Sequence, residues 1–108
     1  MDLFNQLQEM IQKLNVSIKT LAKNGQALAE AEKDYKITLR QEAIKLRQEK
    51  NMPVTLISQI IYGVPDVAEK RYKRDVAEAM YNTNQEYINT MKLQIRVLEN
   101  QLSREWSK

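Results

Sequence analysis

The side chains that could do chemistry in this sequence are carboxylates, hydroxyls and basic groups, since it contains no histidine and no cysteine. The chain therefore lacks the commonest acid–base group, the usual nitrogen and sulfur ligands of zinc, and a thiol nucleophile. Ser17, Ser58 and Ser103 have no histidine to activate them, and carboxylates such as Glu42 and Glu49 suit a solvated helix face. We predict a non-enzymatic chain with no catalytic residue, no metal ligand and no cofactor.

Basic groups offer a second chemistry, which is the binding of phosphates or of acidic partners. Residues 36–74 include nine Lys or Arg and four Asp or Glu, so this segment carries +5 and the rest of the chain −2, for a net charge of +3. In the last helix we expect the basic residues to lie opposite a buried arc of Ala68, Tyr72, Val76 and Ala79. An ordinary solvated helix face is the alternative interpretation. The predicted basic patch comprises Arg40, Arg47, Lys50, Lys70, Arg71, Lys73 and Arg74.

An apolar segment lies between the two prolines of the chain, Pro53 and Pro65. Its large residues recur at helical spacing, which predicts a helix of about two turns. They are Leu56, Ile57, Ile60, Ile61 and Tyr62. We interpret them as the cap that closes the bend of a hairpin, or as a site that docks a partner protein. A helix-turn-helix with Gly63 in its turn is disfavoured, because Glu69 and Gln59 stand where a buried aliphatic residue and a small residue are needed.

Seven-residue repeats of apolar side chains flank this segment on both sides. β-Branched or aromatic residues alternate with leucine in the first repeat, as in a two-stranded coiled coil. The seam predicted for the first helix is Phe4, Leu7, Ile11, Leu14, Ile18 and Leu21. The seam predicted for the last helix is Ile88, Met91, Ile95, Leu98 and Leu102. The repeat continues past Gly25, which favours one long helix over two shorter ones.

These patterns predict an all-α fold in a single domain, 1–108. We expect a helix over about 3–50, a short helix over about 54–62 and a helix over about 65–106. Because the connection is short, the two long helices should pair antiparallel as a coiled-coil hairpin.

Several apolar residues lie away from the predicted seams. We expect the short helix to cover Ile37 and Ile44, and a second chain to cover Leu93 and Val97. A homodimer that forms a four-helix bundle would provide that second chain, with a tetramer as the next choice.

The composition also limits the classes of protein to consider. Charged residues make up 29% of the chain and there are only two glycines and two prolines, which suits amphipathic helices. No apolar run is long enough to span a membrane, and the start, "MDLFNQLQEM", has an acid where a signal peptide has basic residues. We predict a cytoplasmic protein without a membrane partner.

The segments "LRQEAIKLRQEKNMPVTLISQIIYGVPDVAEKRYKRDVAEAMY" and "NTMKLQIRVLENQLSREW" resemble small helical proteins of Gram-positive bacteriophages and prophages. The resemblance covers about residues 36–106 and implies a phage origin, with a bacterial host cytoplasm as the location. It implies a non-enzymatic early role, such as interference with host defence or a part in phage DNA metabolism, and no site residues.

Three functional hypotheses remain open at this point. The first is an oligomeric coiled coil that binds a host or phage protein through the apolar bend and the basic residues beside it. The second is a nucleic-acid-binding protein that uses the basic end. The third is a structural assembly or scaffolding factor.

Overall fold

The computed structural model describes residues 2–107, and all of its regular elements are helical. Helix α1 spans Leu3–Glu49, α2 spans Val54–Ile60, a 3-10 turn spans Ile61–Gly63, and α3 spans Pro65–Trp106. The predicted all-α hairpin with a short helix at its bend is confirmed, and the bounds agree with those expected to within about two residues. Helix α1 is continuous through Gly25, as predicted.

The residues around the bend explain why α1 ends at Glu49. Asn51 has a positive φ of 50°, a conformation that asparagine tolerates better than most residues. The amide of Met52 donates to the Leu46 carbonyl at 3.3 Å, and the Arg47 guanidinium donates to the Met52 carbonyl at 3.0 Å. Pro53 then prevents the helix from continuing.

Helix α3 begins where its sequence provides start signals. Pro65 stands at the first helical position, where its missing N–H costs nothing, and Asp66 lies in the first turn near the positive end of the helix dipole. The amide of Val64 donates to the Ile61 carbonyl at 3.1 Å and so closes the preceding 3-10 turn.

The described residues form two compact units. The first contains α1 up to Asn24 and α3 from Met80 onward, and the second contains Gly25–Ala79 with the whole bend. In the first unit α1 and α3 are antiparallel, because residues late in this part of α1 meet residues early in this part of α3. The prediction of a single domain stays a prediction.

The core of the first unit is a seam between the two helices. Ile88, Met91 and Ile95 are its buried apolar residues on α3, and Leu98 and Leu102 continue it as half-buried residues. These five are the residues that the sequence analysis assigned to the α3 seam.

The α1 side of this seam differs from the expected one. Two heptad registers share the leucines Leu7, Leu14 and Leu21, which are half-buried. The predicted register adds Phe4, Ile11 and Ile18, which are 54%, 41% and 46% exposed. The observed register adds Leu3, Met10 and Ser17 instead. The assignment of Phe4, Ile11 and Ile18 to the intramolecular core was therefore wrong.

The second unit has its own core around the bend. Tyr35, Ile57, Ile61 and Val67 are buried together. Five partly buried side chains pack against them, namely Leu39, Ala43, Leu46, Met52 and Val64. The α2 helix therefore contributes one face to this core.

Two expectations about the second unit were wrong. The predicted buried arc of α3 is exposed at all four positions, which are Ala68, Tyr72, Val76 and Ala79. Val67 is fully buried instead, and Lys70 and Arg74 are half-buried on the same face. Helix α2 also leaves Ile37 and Ile44 exposed, because its buried residue packs against Tyr35 and Val67.

Candidate functional site

The five apolar residues of the bend form two groups, one buried and one exposed. Ile57 and Ile61 lie four residues apart on one face and are buried in the core of the second unit. Leu56, Ile60 and Tyr62 point elsewhere and are 41%, 40% and 47% exposed. We call these three residues the tip surface. Because the first pair already closes the bend, the tip surface is not needed for that purpose.

An Arg–Tyr contact links the tip surface to α3. The Arg71 guanidinium lies over the Tyr62 ring, with its carbon 5.1 Å from the ring centroid. A cation–π contact at an exposed site stabilises by about 0.5–1 kcal/mol. The contact holds the Tyr62 ring, which is 47% exposed, against the early part of α3.

Arg74 serves the packing of the second unit rather than a free basic surface. Its guanidinium carbon lies 4.7 Å from the centroid of the buried Tyr35 ring. Its Nε and Nη2 donate to Asp75 Oδ1 at 3.0 and 2.7 Å, and this hydrogen bond raises the pKa of Arg74. Since the charge is already paired with a carboxylate, Arg74 offers little to an external anion.

The other members of the predicted basic patch are unequal. Lys73 forms an exposed pair with Glu69 at 3.9 Å, which contributes little. Arg47 donates a hydrogen bond to the Met52 carbonyl just after the end of α1, and Lys70 is half-buried. Arg40 and Lys50 are exposed and are available to a partner.

A polar layer in the first unit, formed by Ser17, Asn24 and Asn84, was not predicted from the sequence. Asn24 Nδ2 donates to Asn84 Oδ1 at 2.9 Å, and Asn84 Nδ2 donates to the Ser17 carbonyl at 3.3 Å. All three residues lie at seam positions that are buried or half-buried. The sequence did contain a signal for this layer. Ser17 and Asn24 are seven residues apart, and each follows one of the shared leucines, Leu14 and Leu21, by three residues.

The exposed apolar residues of the first unit lie on two different sides. Phe4, Ile11 and Ile18 share one face of α1 at seven-residue spacing. Leu93 and Val97 border a groove that also contains Gln6 and Met10, which lie on the opposite flank of α1. The two sets of exposed residues therefore form separate surfaces of the first unit.

Two further searches concern other classes of site. No group of three or more acidic, cysteine or histidine side chains that could hold a metal ion occurs in residues 2–107. Over the same residues, none of the helices combines the length and the apolar character needed to cross a bilayer.

Comparison of this chain with models of protein families, with curated proteins and with solved structures found no match.

Proposed function

We propose that this chain is a non-enzymatic protein-binding helical hairpin whose tip surface binds a partner protein. The observation that carries the proposal is the exposure of Leu56 and Ile60 on α2 and of Tyr62 in the 3-10 turn that follows. The core of this segment is formed by other residues, Ile57 and Ile61. Large apolar side chains grouped on a surface favour binding to another protein, and a tyrosine adds a polar group at the rim.

The charge around the tip surface favours an acidic partner. Residues 36–74 carry nine basic and four acidic side chains. Arg40 and Lys50 are exposed within this segment and make no side-chain hydrogen bond or ion pair in the described structure. A positive potential of this kind accelerates association with an acidic surface and selects against basic ones. The proposed ligand is therefore a segment with apolar anchors and acidic flanks.

Nucleic acid is the second candidate ligand, because the same charge would attract phosphates. Three observations make it the weaker candidate. Arg74 is paired with Asp75, Arg71 lies on Tyr62, and the first turn of α3 carries Asp66, which would repel a phosphate. Binding of random duplex DNA with a steep salt dependence would favour this candidate over a protein partner.

The resemblance to small phage proteins supports a more specific form of the proposal. The partner would be a host or phage protein, and binding would interfere with host defence or act in phage DNA metabolism. An assembly or scaffolding role is the alternative within the same class, with a capsid or tail protein as the partner. In each case we propose that the chain is a homodimer.

The test compares three forms of the tagged chain in a lysate of a Gram-positive bacterium. They are the native chain, Leu56→Gln with Ile60→Gln, and the control Val54→Gln, which is an exposed residue on a different flank of α2. We expect at least one protein to be captured by the native and control forms and lost with the double variant, at an unchanged melting temperature. The captured protein, once purified, should bind the native chain and the Val54→Gln control with similar affinity and the double variant more weakly.

A capture pattern that is identical for all three folded forms would show that the tip surface is not the binding site. Loss of binding to DNA, rather than to a protein, in a variant with Arg40→Gln and Lys50→Gln would favour the nucleic-acid candidate instead.

A further inference from the structure

We infer that a second copy of this chain packs antiparallel against α1 through Phe4, Ile11 and Ile18. This inference rests on the proposed homodimer and specifies its surface and orientation. The three side chains lie on one face of α1 and keep about half of their surface exposed, although each is large and apolar. They occupy every seventh position, so they form a second seam beside the intramolecular one.

The seven-residue spacing indicates a helix as the occupant. Apolar residues at this spacing remain in line along a supercoiled pair, where each inserts between four residues of the facing helix. Gln8 and Asn15 lie between them on the same face and are also exposed. Leu93 and Val97 are only four residues apart and extend over one turn, so they do not form a comparable seam.

A second copy of α1 supplies the complementary seam if the pair is antiparallel. Ile11 lies midway between Phe4 and Ile18, so a two-fold axis beside Ile11 places it against its own equivalent. The same axis places each Phe4 against the partner's Ile18. The surface is then self-complementary, as an isologous dimer interface requires.

The charges along α1 select this orientation. Residues 2–9 contain Asp2 and Glu9 and no basic side chain, whereas residues 10–24 contain Lys13, Lys19 and Lys23 and no acidic one. An antiparallel pair aligns the acidic part of one copy with the basic part of the other. A parallel pair aligns like charges within about one Debye length of each other.

The absence of cysteine from the sequence makes single-cysteine variants clean probes of this arrangement. An antiparallel dimer brings the two Ile11 positions within disulfide range, which is about 4.4–6.8 Å between Cα atoms. We expect Ile11→Cys to form a covalent dimer under mild oxidation. Phe4→Cys and Ile18→Cys should each do so poorly alone and efficiently when mixed. Val97→Cys, on the other side of the unit, is the control for random collision.

Light scattering at about 10–100 µM provides the second measurement. The native chain and Leu93→Asp should have twice the mass of the 12.7 kDa monomer, and Ile11→Asp should have the monomer mass with unchanged helicity. Leu14→Asp is not suitable, because Leu14 lies in the intramolecular seam and its loss would unfold the hairpin.

The outcomes separate the two levels of the inference. A native monomer at these concentrations would overturn both the homodimer and this interface, and would leave the tip surface unaffected. If Ile11→Asp remains a dimer, the homodimer is retained and the interface through Phe4, Ile11 and Ile18 is refuted. Efficient covalent dimers of Phe4→Cys and Ile18→Cys alone would show a parallel pair and refute the orientation.

Discussion

Removal of the Asn84 side chain should destabilise the hairpin, because Asn84 joins α1 and α3 by two hydrogen bonds. The Asn84→Ala variant loses the 2.9 Å bond from Asn24 and the 3.3 Å bond to the Ser17 carbonyl. A net hydrogen bond contributes about 0.5–1.5 kcal/mol. Asn24 is half-buried, so water can satisfy part of what it loses, and we expect a total loss of about 1–2 kcal/mol.

Helix propensity acts in the opposite direction and requires a control. Alanine is favoured over asparagine inside a helix by up to about 0.7 kcal/mol. Asn89→Ala measures this gain, because Asn89 is exposed in the same part of α3. The difference between the two variants therefore isolates the polar layer.

The assay is urea unfolding followed by circular dichroism, at one protein concentration because self-association would shift the midpoint. Asn84→Ala should be less stable than Asn89→Ala by about 1–2 kcal/mol. A double-mutant cycle with Asn24→Ala should give a coupling of about 0.5–1 kcal/mol. If Asn84→Ala is as stable as Asn89→Ala, the layer contributes nothing and the reasoning fails.

Three further predictions concern the fold and the second unit. Circular dichroism should report at least about 75% helix, and a substantial strand signal would contradict the fold. Val67→Ala should lower the unfolding free energy by about 2 kcal/mol, since Val67 is fully buried. Val76→Ala, at an exposed position, should lower it far less, and equal losses would contradict the observed burial. Arg74→Gln should lower the melting temperature more than Arg71→Gln, because Arg74 covers the buried Tyr35; the reverse order in thermal unfolding would show that this contact is not structural.

The sequence predicted the helices and the bend well because their signals are local. Pro53 and Pro65 restrict the backbone at fixed positions, and Gly63 falls between them. The heptad repeats extend over many turns, so an error in one position does not displace a helix.

The choice of seam in α1 could not be predicted from α1 alone. Leu7, Leu14 and Leu21 belong to both registers, and apolarity favours the one that contains Ile11 rather than Ser17. The observed register is favoured by a partner on another helix, since Asn84 bonds to the Ser17 carbonyl and to Asn24. Such a preference depends on the pairing of α1 with α3.

The start of α3 was misassigned for a related reason. Lys70 and Arg74 occupy seam positions after the buried Val67, although a search for apolar periodicity rejects charged residues there. Long basic side chains can occupy half-buried positions, because their aliphatic stems can be buried while the charged group stays in contact with water. The guanidinium of Arg74 also finds an aromatic face on Tyr35, which no pattern within α3 could show.

These polar seam residues also explain how the hairpin selects one pairing of its two long helices. A shift of one heptad in the first unit would oppose Asn24 to Met91 and leave its amide without a partner, at a cost of about 1–3 kcal/mol. In the second unit, the same shift would separate Arg74 from Tyr35. A seam made only of leucine would tolerate such shifts, because every heptad would be equivalent. The polar residues therefore give up some apolar burial and in return specify the register in each unit.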